Sequence, residues 1–331
     1  MRRIAFGLFV VGVLMVASVG AANAECTATG FGGLTAALVN PTAIVTGEVN
    51  ATGCDMGVYF DSGQGAIKNA DIHGALYYGV FVNGDTANVS VDVINSHIYQ
   101  VGDTPFNGNQ RGVGIYYRAY FSTGTATGRI AGNTVELYQK GGIVVNGPGS
   151  NVLVQDNRVL GLGAVNYIAQ NGIQFGYGSS GSAMRNMVTG HSYTGTSAVS
   201  GGIVVVGGDF YGTCPDGNAC AYTTNIQIVQ NTLADNDIGV FLTNLAADGG
   251  APADMTNVKA VNNVITNAAL TNGYGGFGYQ AGVSDVGNND KIINNKISGD
   301  GYDPAVYSSA YVVAVDADPS FTNRPKVHAN K

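Results

Sequence analysis

The chain has 331 residues, with 15 Lys+Arg against 22 Asp+Glu and a formal net charge of −7. Its 50 glycines and charged fraction of 11% are far from the composition of a helical protein. An acidic chain without a local basic patch is a poor partner for nucleic acid or an anionic membrane, and no such patch is visible along the sequence.

The first 24 residues have the layout of a secretory signal peptide. Arg2 and Arg3 precede a mostly apolar stretch, and Ala22-Asn23-Ala24 offers a cleavage site before Glu25. No later run is long and apolar enough to span a bilayer, so the expectation is a secreted or cell-surface protein. Residues 25–57 are expected to form an N-terminal cap and the first strands. Within them LTAALV (34–39) is expected to be a short helix over the first end. Cys26, Cys54, Cys214 and Cys220 suit an oxidising compartment. Their nearest-neighbour pairing is 26–54 and 214–220, one of three that the sequence allows.

From residue 58 a phrase recurs: Asn, any residue, then an apolar one. It begins at Asn133, Asn157, Asn186, Asn231, Asn263 and Asn295, the last three spaced by 32 residues. A second marker, Gly before a β-branched run, stands at 112 (GVGIY), 142 (GIVV), 172 (GIQF) and 202 (GIVVV), at intervals of 30, with weaker copies at 79, 239 and 282. A fixed period of this length, cut into three strand-sized pieces, means a solenoid. The fold expected over 58–318 is all-β, a single-stranded parallel β-helix of about eight or nine coils, ~4.8 Å apart. Alternation puts Ile143, Val145, Ile173, Phe175, Ile203, Val205, Val240 and Leu242 inside, with Val135, Val159, Val188, Leu233, Ile265 and Ile297. The six asparagines are expected to form a structural ladder in the turns. YVVAV (311–315) should close the far end, leaving 319–331 as a loose polar tail.

The pattern, Asn-x-apolar followed by Gly-Ile-x-Val, resembles the right-handed parallel β-helix repeat of pectate lyases, polygalacturonases and related secreted carbohydrate-active proteins. The resemblance covers roughly 58–315. It implies that a polysaccharide or cell-surface glycan lies along the outer face of the strand beginning with Gly-Ile. The outward positions expected there are Phe81, Gly114, Val144, Gln174, Val204, Phe241 and Ser284, then Tyr116, Asn146, Gly176 and Val206. This face has no acid in its central coils. A pectate lyase of the usual kind needs acids there to hold calcium, and an arginine as base. A polygalacturonase needs paired aspartates, and its Asp-Asp and Gly-His-Gly signatures are absent. Arg324-Pro325-Lys326 has an Arg-x-Lys spacing but lies in the tail.

The 30-residue period stacks Gln110, Lys140, Gln170 and Ser200, with Arg111 and Asn171 beside them and Tyr138 and Tyr167 in the preceding loops. A metal-free polysaccharide lyase would need a base of lowered pKa and donors for the uronate carboxylate. Lys140 or Tyr138 would be that base. Gln110, Arg111 and Gln170 would hold the carboxylate, with Asn171, Tyr116, Asn146, Tyr167 and Gln174 lining the site. The plainer alternative is a polar ladder that solvates the strand entry. Asp235-Asn236-Asp237 is expected to be a turn, with calcium a weak second choice and no other cofactor indicated. His191 is placed in a loop as a possible acid or base, whereas His73 and His97 belong to the surface. The function expected is binding or modification of an extracellular polysaccharide. The alternative class is a non-enzymatic adhesion or scaffold protein, suggested by the apolar outer strip Phe81, Val144, Val204 and Phe241. Oligomeric state is open.

Overall fold

The computed structural model describes residues 25–318 and 322–330; the leader expected over 1–24 lies outside them. Among the described residues there are strands and three short 3-10 turns but no α-helix. The strands recur in order and pair in parallel with their counterparts one repeat away, a solenoid that fits a parallel β-helix.

Three parallel stacks of strands result. The first holds Met56–Phe60, Tyr78–Asn83, Val113–Arg118, Gly141–Asn146, Asn171–Gly176, Gly201–Gly207, Ile238–Asn244, Tyr279–Asp285 and Tyr311–Asp316. The second runs from Asn88–Ile94 through Thr125–Ala131, Ser150–Gln155, Ser180–Met184, Gln227–Val229, Lys259–Val261 and Lys291–Ile293 to Lys326–His328. The third includes Thr134–Glu136, Arg158–Val165, Met187–Tyr193, Thr232–Ala234, Val264–Thr266 and Lys296–Ser298. The apolar columns expected inside are inside, in one continuous core. Each fully buried Ile, Leu, Val or Phe contributes ~1.5–3 kcal/mol.

The turn between the second and third stacks explains the asparagines. The residue before each of them is in the left-handed region: Gly132, Asp156, Arg185, Gln230, Asn262 and Asn294. That conformation reverses the chain sharply and leaves buried backbone groups without strand partners. The asparagine supplies partners. Asn186 Oδ1 accepts from Asn157 N (3.0 Å) and Nδ2 (2.9 Å), and Asn186 Nδ2 donates to Val154 O and Asn231 Oδ1. The same set repeats along the ladder to Asn295, and each Oδ1 from Asn157 onward accepts two hydrogen bonds while that of Asn133, at the start, accepts one from Ser96 N.

The first stack has its own constraint. A glycine near the start or middle of all but the last of these strands makes a close approach to its neighbours inside the coil. An added Cβ on Gly172 would lie 2.4 Å from Val188 Cγ1 and 2.5 Å from Gly202 O, and one on Gly142 would meet Val159 and Gly172 O in the same way. This close approach is why glycine marks the repeat from Gly57 to Gly282.

Both ends differ from expectation. LTAALV is not a helix: Thr35–Val39 is a strand, parallel to Met56–Phe60 on one side and antiparallel to Thr27–Ala28 on the other. An antiparallel strand closes the edge with hydrogen bonds that a helix lying across it would leave unmade. The tail is not loose over its described part. Lys326–His328 pairs with Lys291–Ile293, and Asn330 Oδ1 extends the ladder by accepting from Asn295 N at 2.9 Å. The disulfides are Cys26–Cys54 and Cys214–Cys220. No helix of the described residues is long and apolar enough to cross a membrane.

Candidate functional site

The outer face of the first stack presents one column of side chains through successive coils: Tyr59, Phe81, Tyr116, Val144, Gln174, Val204, Phe241, Ser284 and Asp316. A second column beside it carries Arg118, Asn146, Gly176, Val206 and Thr243. These positions point outward because their neighbours Ile143, Val145, Ile173 and Phe175 point in.

One end of the face is aromatic. Phe81 stacks on Tyr116 at 5.1 Å and meets Tyr78 at 4.7 Å and Phe31 at 5.0 Å. Arg118 lies between the rings of Phe31 and Tyr120, 5.0 Å from each, and its Nε donates to Asp85 Oδ2 at 2.7 Å. The guanidinium is thereby neutralised as well as sandwiched. Burial pushes the Tyr59 and Tyr78 hydroxyls up to about 12 and also raises Tyr116. These phenols stay protonated at ordinary pH; they can donate hydrogen bonds but not act as bases.

The middle of the face is amide-rich. Gln174 Nε2 donates to Asn146 Oδ1 (3.1 Å), and Asn171 Oδ1 accepts from Gly201 N (3.1 Å). One wall is the loop closed by Cys214–Cys220, which packs with Tyr120, Tyr177 and Tyr211. Tyr211 and Thr243 hydroxyls are 2.6 Å apart, tying that wall to the second column. At the far end Tyr279 and Tyr311 stack at 5.6 Å, and both hydroxyls donate to the Asp316 carboxylate, at 2.7 and 3.2 Å. Tyr311 is half exposed.

Of the expected site residues, Tyr116, Asn146, Asn171 and Gln174 come together on this face. The others stand elsewhere. Tyr138 is fully buried, with its hydroxyl hydrogen-bonded to His191 Nε2, so it reaches no substrate. Gln170 is also fully buried; it accepts from Leu162 N at 2.9 Å and donates to Gln139 O at 3.2 Å. Arg111 is ion-paired to Asp103 and lies over Tyr77 at 5.2 Å. Gln110 is exposed and bonds within its own loop, to Gly108 O. Tyr167 is exposed in the loop before Asn171. Lys140 keeps its place beside Gln170; its Nζ donates to Ala169 O at 2.8 Å, and burial lowers its pKa from the ordinary lysine value.

Gln110 does not join that column. The strand register sets Ile115 opposite Ile143 and Val113 opposite Gly141, so Gly112 stands level with Lys140. In GVGIY the marker glycine is Gly114, not Gly112. Gly114 therefore faces the third stack, and Tyr116 takes the outward place expected for it. The apolar strip suggested for a protein partner is largely covered: Phe81, Val144 and Val204 are buried under neighbouring side chains.

Three arrangements escaped the sequence. His191 lies on the strand Met187–Tyr193, not in a loop, and is fully buried. Its Nδ1 is 2.8 Å from Asn236 Oδ1, which can only accept, so Nδ1 carries the proton and Nε2 accepts from Tyr138; burial depresses its pKa to about 4. It occupies space left by the inward glycines, 3.0 Å from an added Cβ at Gly172. In the acid cluster Asp235 is the left-handed turn residue. Asp237, next but one, is buried and accepts from Ser192 Oγ, Tyr193 N, Ser200 N and Asn272 Nδ2. Burial still pushes it up to about 6. Near the far end Asp285 and Asp290 replace apolar residues of the interior and face each other within hydrogen-bond reach, both raised by burial. Among the described residues no three His, Cys, Asp or Glu side chains converge as metal ligands.

Comparison with protein-family models and with curated proteins finds no match. Among solved structures the chain is similar to a lacto-N-biosidase of Eubacterium ramulus, at 14% identity and a TM-score of 0.41, over 83% of this chain and 50% of that one. It spans half the length of that protein. It is also similar to the A-module of a mannuronan C-5 epimerase of Azotobacter vinelandii, at 11% identity and a TM-score of 0.30, over 90% and 88% of the two chains.

Proposed function

We propose that this is an extracellular glycan-binding β-helix, right-handed and of about eight or nine coils, that holds a polysaccharide along the outer face of its first stack. The handedness follows the strong preference of parallel crossovers. Export rests on the leader-like start and the two disulfides. The observation that carries the binding reading is the face itself. That face runs along the solenoid with half-buried Tyr78 and exposed Tyr311 at its two ends and the half-buried amides of Asn171 and Gln174 between them. Sugars need both kinds of contact: aromatic faces for their apolar C–H sides and amides for their hydroxyls. Coil spacing of ~4.8 Å suits a linear polymer lying along the axis.

Catalysis is a narrower version. Hydrolysis needs two carboxyl groups flanking one bond. On this face Asp85 is committed to Arg118, and Asp316 lies at the far end. Elimination needs one base, and Lys140 is a lysine whose pKa burial lowers, whereas His191, also lowered, is sealed inside the coil. Its ammonium is directed to Ala169 O, so the elimination reading asks that substrate displace that contact.

Electrophoresis through gels containing single polysaccharides tests binding. A retarding polymer should retard Gln174→Ala much less; equal mobility in every gel would overturn the proposal. Absorbance of unsaturated uronates released from acidic polysaccharides, with Lys140→Ala alongside, tests elimination. No release, or release unchanged by the substitution, removes Lys140 from catalysis.

A further inference from the structure

The second stack carries a feature hidden in the linear sequence. Gln227, Lys259, Lys291 and Lys326 occupy one register column in successive coils. Three lysines thus lie side by side at the ordinary interstrand distance, ~4.8 Å. Lys326 and Arg324, two residues before it, are exposed; Lys259 and Lys291 are half-buried. Like charges directly opposite on neighbouring strands destabilise a sheet. By contrast, Arg111, Arg118, Arg129 and Arg185 each pair with an aspartate. None of the lysines in the column forms an ion pair among the described residues. The three strands, Lys259–Val261, Lys291–Ile293 and Lys326–His328, contain no acid.

We infer that this lysine column is a second binding surface, for a linear polyanion whose charged groups repeat along the solenoid axis. An uncompensated row of one sign on a chain of net charge −7 is complementary to such a ligand. The row is single and straight and has no aromatic ring interleaved. That favours a carboxylated polysaccharide over single-stranded nucleic acid, which uses stacking platforms. It also favours the polymer over a bilayer, which spreads its charge in two dimensions. The surface lies on a different stack from the face proposed above and does not depend on it.

The test uses the full chain and immobilised polygalacturonate, with neutral dextran, phosphatidylglycerol vesicles and duplex DNA as alternatives. The variant is the triple Lys259→Gln, Lys291→Gln, Lys326→Gln. Gln227 already fills this column one coil earlier, so the fold accepts the residue. Wild type should be retained on polygalacturonate at low salt and released as salt rises. The triple variant should bind at least ~10-fold more weakly with a shallower salt dependence. The single Lys326→Gln, at the exposed end, should fall between them and guards against misfolding of the triple variant. Gln174→Ala should leave the salt-dependent retention intact. Equal retention of wild type and triple variant would overturn the inference. So would retention on dextran that the triple variant loses, or tighter binding to vesicles or DNA than to polygalacturonate.

Discussion

Replacing Asn186 by alanine removes one rung from the middle of the asparagine ladder. Two buried backbone groups, Asn157 N and Val154 O, then lose their partners, and Asn157 Nδ2 loses one of its two acceptors. Leaving a buried polar group unsatisfied costs about 1–3 kcal/mol. The two backbone groups together give about 2–6 kcal/mol, a large share of the stability of an ordinary domain. Asn330→Ala provides the internal control. Asn330 Oδ1 accepts from Asn295 N and Nδ2, and its Nδ2 donates to Ile292 O, but Asn330 is half-buried at the open end of the ladder, where water can replace these bonds. Its loss should cost no more than about 1 kcal/mol. Guanidinium unfolding followed by circular dichroism measures both, and hydrogen exchange at the Asn157 amide reports the local effect. A loss below about 1 kcal/mol at Asn186, or equal losses at the two sites, would refute the ladder argument.

Other outcomes follow from the same geometry. Gly172→Ala places a methyl group against Val188 and Gly202 O, and thermal unfolding should show a loss of about 1–3 kcal/mol or more. Tyr138→Phe leaves His191 Nε2 buried without a donor and should cost about 1–3 kcal/mol while glycan retardation in gels stays as in wild type. A loss of binding at unchanged stability would return Tyr138 to the site. Asp237 is pushed up to about 6, and Asp285 and Asp290 are raised in the same direction. A carboxyl raised in the folded state stabilises below its unfolded pKa, and that contribution is lost as pH rises through the folded value. Melting temperature should therefore fall from pH 4 upward, through about 6 and beyond, as far as these groups govern it. Asp290→Asn should flatten the alkaline part of the profile, and a profile unchanged by it would contradict the assignment.

Much of the architecture was legible because a solenoid repeats its constraints. The 32-residue spacing of Asn231, Asn263 and Asn295 is the coil period itself, and the ladder gives each asparagine the same task. Legibility failed where one local pattern admits two registers. GVGIY offers two glycines, and only the pairing of Ile115 with Ile143 selects Gly114. Propensity misled at LTAALV, where pairing with Met56–Phe60 outweighs the helical preference of its alanines and leucines. The site was half visible. Outward alternation found Tyr116, Asn146 and Gln174, but nothing local shows that Tyr138 and His191 meet inside the coil across 53 residues of chain. The lysine column has a sequence signal of its own: Lys259 and Lys291 lie one 32-residue period apart.

Hydroxyl-radical footprinting with a polysaccharide that retards the protein in gels locates the glycan on the solenoid. Protection is expected at Tyr78, Phe241, Tyr279 and Tyr311 along the outer face of the first stack, with Met187 and Val264 on the third stack unchanged. Protection on the third stack, with those four residues unaffected, would contradict it.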